Sequence, residues 1–146
     1  MTPLRTLCLA ATAASLLGCN ASPRSSAGFR LPDGDVTKGL GAFIEMRCHN
    51  CHRVAGLDLP PPVAEPPVPV VLGGEVPYAK TDGELVTSII NPSHRIAPGW
   101  KPELVQRGEL SRMPDYGDIM TVRQVVDIVA FLQSRYKVVR PGAPVR

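Results

Sequence analysis

Cys48 and Cys51 are separated by two residues, and His52 follows directly, in "RCHNCHRVAG", residues 47–56. Two thiols at that separation suit half of a zinc site or a redox dithiol. Neither use requires a histidine at the next position. A third chemistry uses all three residues. Each thiol can add across a haem vinyl group, and the two-residue gap lets one turn of chain span both vinyls. The next residue then falls under the iron, where an imidazole can coordinate it. The motif predicts one covalent haem c held by Cys48 and Cys51, with His52 as an axial iron ligand.

The other cysteines support that reading. The chain opens "MTPLRTLCLAATAASLLGCN", with one early positive charge, Arg5, and an apolar run through Leu17. This is the pattern of a secretory signal peptide over residues 1–18. The run is too short to be a comfortable membrane-spanning helix. Its end, "LLGC", resembles a bacterial lipobox, which implies cleavage after Gly18 and lipidation of Cys19. Two or more acyl chains would hold the protein at a membrane surface. Asn20 follows, not Asp, which argues against inner-membrane retention where that sorting rule operates. Cys8 leaves with the signal peptide and Cys19 carries lipid, so Cys48 and Cys51 have no second pair with which to complete a four-cysteine zinc site. A disulfide between them is conceivable outside the cytoplasm, but it would leave His52 unexplained.

The 146 residues suggest one domain. Hydrophobic residues make up 44% but aromatic ones only 5%, thin for a core built from side chains alone, and 16 prolines and 13 glycines imply long irregular stretches. Loss of Arg5 leaves 15 basic against 13 acidic residues, a net charge of +2, which is too weak to argue for nucleic acid. No phosphate loop, nucleophile motif or catalytic acid–base set is visible, so the chain reads as a carrier and not an enzyme.

Several elements must position the motif. Residues 19–34 are small and polar and read as a lipidated tether. In 36–47, Val36, Leu40, Phe43 and Ile44 share a helical face, and Asp35 or Thr37 can cap it. Gly39 and Gly41 weaken that helix, and a helical glycine often marks a close approach. The proline-rich stretch 60–77 excludes helix and most strand pairing. It is either a free polyproline ligand or, by preference, a stiff loop that buries Val63, Val68, Val70, Val71 and Leu72. In 81–90, Thr81 and Glu84 have capping-box spacing. Leu85, Val86, Ile89 and Ile90 supply its apolar face, and Pro92 ends it. In 121–136, Thr121 and Gln124 repeat the box, and Val122, Val125, Val126, Val129 and Leu132 recur at helical spacing. The basic tail 137–146 is expected to fray. No strand pattern is seen. The expectation is all-α: about three main helices and long loops around one covalently bound haem.

The ordered set "GLGAFIEMRCHNCH", "LVTSIINPSHRIAPGW", "RMPDYGDIM" and "TVRQVVDIVAFLQ" resembles class I cytochrome c, especially the small bacterial monohaem domains. The resemblance covers roughly 36–136 and implies a cytochrome c domain over 35–136. It implies that Gly39 (or Gly41) and Phe43 meet Phe131 where the first and last helices cross. It implies that a proline carbonyl, with Pro69 the candidate, accepts the His52 ring N–H. Trp100 could reach a haem propionate or only pack. His94 is a solvated surface residue or a sixth ligand, with the former preferred, and His49 is given no role.

The sixth ligand is sought among three methionines. Met46 lies on the proximal side, two residues before Cys48. Met120 directly precedes the Thr121 cap and reads as core. Met113 precedes Pro114, which holds it extended in a stiff loop, and the same "MP" arrangement carries the distal ligand in the resembling family. Met113 is therefore expected opposite His52. The resemblance implies a lipid-anchored monohaem carrier that shuttles single electrons between redox protein partners in the periplasm or on another extracytoplasmic membrane face. Alternatives are a haem-bearing subunit of a larger oxidoreductase, as in sulfur-compound oxidation, or a haem ligand sensor.

Overall fold

The computed structural model describes residues 29–139; Cys19, the lipobox and residues 140–146 lie outside that range. Among the described residues there are four α-helices: α1 (Val36–Glu45), α2 (Asp82–Ile90), α3 (Pro102–Val105) and α4 (Val122–Gln133). Three short strand pairs join them, so the fold is not purely all-α. β1 (His52–Val54) pairs in parallel with β2 (Val70–Leu72), and β3 (Gly74–Val76) pairs in parallel with β6 (Tyr136–Val138). β4 (Gln106–Arg107) and β5 (Leu110–Ser111) form a small antiparallel hairpin. No described helix is long and apolar enough to cross a membrane.

The strands have a simple cause. Val70 is the first residue after Pro69 and has an N–H to give, which it donates to the Cys51 carbonyl at 3.1 Å. A proline there could not. The pairing puts Val70 in register with His52 and Leu72 with Val54. The proline-rich loop therefore returns to the cysteine–histidine motif and ends against it. Contrary to expectation, its valines are not all buried. Val68 is buried, but Val63 and Val71 are exposed, because a loop with so many fixed φ angles follows its own path over the surface.

α1 and α4 form the frame. Asp35 caps α1, its carboxylate accepting from the Thr37 and Lys38 N–H groups, so Asp35 and not Thr37 is the cap. The face that meets α4 is centred on Gly39, Ala42 and Phe43. Val36 is exposed and Leu40 and Ile44 are half-buried, contrary to the predicted stripe. Gly39 explains the shift. A Cβ there would overlap the Asp127 carbonyl and lie 2.8 Å from the Phe131 Cβ, whereas a Cβ at Gly41 meets nothing within 4 Å. The helices cross at Gly39, and the rings of Phe43 and Phe131 pack at 5.6 Å with a 59° tilt beside it. Buried Asp127 ties the same junction by accepting the Asp35 N–H at 2.9 Å.

Both predicted capping boxes form, at Thr81–Glu84 and Thr121–Gln124. At α4 the Thr121 hydroxyl accepts the Gln124 N–H at 3.2 Å, while the Gln124 side chain accepts the Thr121 N–H at 2.9 Å. We predict that Thr121→Ala lowers the unfolding free energy by about 1 kcal/mol, read from the denaturant midpoint. An unchanged midpoint would mean that packing alone starts α4. Val122, in the first turn, is exposed, whereas Val125, Val126, Val129 and Leu132 are buried. Ile90, likewise expected on the apolar face of α2, is exposed.

Chain on either side of residues 35–136 also touches the domain. Upstream, Leu31 packs on the core, and Gly34 lies so close to α4 that a Cβ would come within 2.6 Å of the Val126 carbonyl oxygen. The last residues of the 19–34 segment thus pack against the domain. Downstream, α4 stops at Gln133, and Tyr136–Val138 pair with β3 instead of fraying. Lys137 there reaches Glu75 at 2.8 Å.

Candidate functional site

The site begins where α1 ends. Arg47 takes a left-handed conformation, φ 58°, the only non-glycine with positive φ among the described residues. Such a conformation persists only where its surroundings enforce it. It turns the chain directly into a 3-10 turn, Cys48–Asn50, closed by the Cys51 N–H donating to the Cys48 carbonyl at 3.1 Å. A 3-10 helix makes one turn in three residues, so Cys48 and Cys51 sit one turn apart, Cys48 half-buried and Cys51 exposed, both as free thiols. Burial pushes the Cys48 thiol up to about 11, with a smaller contribution from Cys51.

His52 opens β1 at the base of an apolar cleft of about 540 Å³, its open mouth included. Cys48, His52, Met113, Tyr116 and Met120 border that cleft, together with apolar residues such as Phe43 and Ile128. The structure thus brings Cys48, His52 and Met113 together across one cavity. Cys51 is not on that wall; it lines a larger neighbouring cavity of about 930 Å³, its open mouth likewise included, under the proline-rich loop, which His52 also borders. The apolar cleft is the relevant one, since it alone joins the thiol, the imidazole and the thioether.

Burial lowers the basicity of His52, and the Val70 backbone opposes this. Nδ1 nevertheless has no partner at hydrogen-bond geometry. The neighbouring backbone is Val70, its register partner, and not Pro69, which is exposed. A buried imidazole with an unpaired Nδ1 fits a ligand that binds metal through its other nitrogen, with the Val70 backbone beside the free one. The donor set fits haem, and among the described residues no group of three or more His, Cys, Asp or Glu is placed to hold a metal ion.

The remaining candidates separate clearly. His94 is exposed in a short 3-10 turn, Pro92–His94, and does not border the cleft. Trp100 is half exposed and also absent from the cleft wall. Met46 packs on the core without lining the cleft. Met120 does line it, but is buried within the core cluster, whereas Met113 is half-buried at the cleft on a loop.

Lys80 and Tyr116, both on the wall, had no role in the sequence reading. Lys80 is the wall's one lysine or arginine. Tyr116 donates its hydroxyl to the Met46 carbonyl at 3.1 Å, and burial first, then the nearby cysteines, push its pKa up to about 12. The only available signal was its place in "MPDYG".

A family model described as Cytochrome c matches residues 36–135. No curated protein and no solved structure matches the chain significantly.

Proposed function

The chain belongs to the cytochrome c family, and from that premise we propose that it is a membrane-anchored, monohaem carrier passing single electrons between redox proteins outside the cytoplasm. The family binds haem c covalently and consists in general of electron carriers, typically extracytoplasmic. One observation carries the reading: Cys48, His52 and Met113 border a single apolar cleft, with Cys51 one 3-10 turn after Cys48.

Haem supplies an iron that cycles between ferrous and ferric states; the chain supplies everything that tunes it. Cys48 and Cys51 would each hold the haem through one thioether, sulfur adding to one vinyl carbon and the thiol hydrogen to the other. His52 would supply an imidazole nitrogen to the iron and Met113 a neutral thioether, and a His/Met pair raises the potential. Phe43, Leu85, Ile89 and Ile128 keep water from the cleft, which disfavours the more highly charged ferric state. Lys80, on the cleft wall, would offer a countercharge to the carboxylates of a bound haem. The anchor rests on "LLGC" and Cys19.

The purified protein should titrate as a single one-electron couple. In fractionated cells, Cys19→Ser should move most of the protein from the membrane to the soluble fraction or leave its precursor unprocessed. A Cys19→Ser protein that stays membrane-bound and is cleaved at the same site would refute the anchor, and a two-electron or absent wave would refute the carrier.

A further inference from the structure

We propose that Tyr116 is the positioning residue for the sixth ligand: its hydroxyl latches the strap carrying Met113 to the backbone just ahead of Cys48. The inference rests on Met113 being the distal ligand. The Tyr116–Met46 bond joins positions 70 residues apart. Met46 is the C-cap of α1, and Arg47 then turns the chain into the attachment turn. The accepting carbonyl therefore belongs to the segment that aims Cys48.

The strap is pinned at both ends. At its start the Ser111 N–H donates to the Ser93 hydroxyl, and the Met113 N–H donates to the Ser111 hydroxyl, both at 3.1 Å. Pro114 stiffens the next step. Beyond it, the Tyr116 carbonyl accepts from Ile119 at 3.1 Å and Met120 at 3.0 Å, which leads into the Thr121 cap. The Tyr116 ring borders the same cleft as Met113, three residues away. A neutral thioether is a weak iron ligand, so its occupancy depends on how far its strap can swing. Of the bonds at Tyr116, the hydroxyl is the one that ties the strap across the cleft to the attachment side. A phenylalanine would fill the same wall without that tie.

The test is imidazole titration of the ferric, haem-loaded protein, following loss of the near-infrared sulfur-to-iron band. Tyr116→Phe should keep the band but lose it at an imidazole concentration roughly two- to tenfold lower than the parent protein, the span expected for one net hydrogen bond. Asp35→Ala removes the cap of α1 at the end away from the strap and should leave the imidazole midpoint in place. Met113→Ala should lack the band from the outset. If Met113→Ala lacks the band but Tyr116→Phe titrates like the parent protein, the latch is refuted and the ligand stands. If Asp35→Ala shifts as far as Tyr116→Phe, the effect is general loosening and the latch is refuted. If the band survives in Met113→Ala, the ligand assignment fails and the latch falls with it.

Discussion

Gly39→Ala should destabilise the domain by at least about 3 kcal/mol, at or beyond the upper end of ordinary overpacking. The added methyl would overlap the Asp127 carbonyl and press the Phe131 Cβ, and neither is the free end of a flexible side chain. Relief requires α1 to move off α4. That would break the Phe43–Phe131 contact and pull Asp35 from Asp127. Against a total stability on the order of 5–15 kcal/mol, much of the margin disappears. Gly41→Ala, one half-turn away, meets open space. It should gain about 0.5–1 kcal/mol, as alanine does over glycine inside a helix. Denaturant unfolding of the two variants side by side gives the comparison. Equal midpoints would mean that the helices do not cross at Gly39.

Met113→Ala should change the iron more than any other single substitution opposite His52. The sulfur-to-iron band disappears, the ferrous form binds carbon monoxide stoichiometrically, and the potential falls by on the order of 100 mV, a part of the roughly 0.8 V that axial ligands command. Met120→Leu is the necessary comparison, because Met120 borders the same cleft. Its side chain is already committed to the core with Leu132 and Ile128. An apolar replacement of similar volume should therefore leave all three properties nearly unchanged, at a cost below about 1.5 kcal/mol. If the band vanishes with Met120→Leu and survives in Met113→Ala, Met120 is the ligand.

What the sequence discloses about this fold follows the range of the interactions involved. Both capping boxes were readable because Thr81 with Glu84, and Thr121 with Gln124, lie within one turn of each other. The attachment motif was readable for the same reason. The parallel pairs were not. His52 meets Val70, and Gly74 meets Tyr136, over three-residue strands too short to show a period, and their register depends on the whole intervening chain. Gly39 and Gly41 looked alike in sequence, since only the opposing backbone of α4 separates a contact from open space. The proline-rich loop misled in another way. Apolar valines suggested burial, but fixed backbone angles leave Val63 and Val71 outside. Tyr116 escaped notice because its partner is a backbone carbonyl, which no residue type announces.

The most direct test of the account is the intact mass of the purified protein after acid–acetone extraction. Two thioethers at Cys48 and Cys51 predict a chain heavier by one haem, with the colour remaining in the protein pellet. Haem that passes freely into the acetone, leaving the bare polypeptide mass, would contradict it.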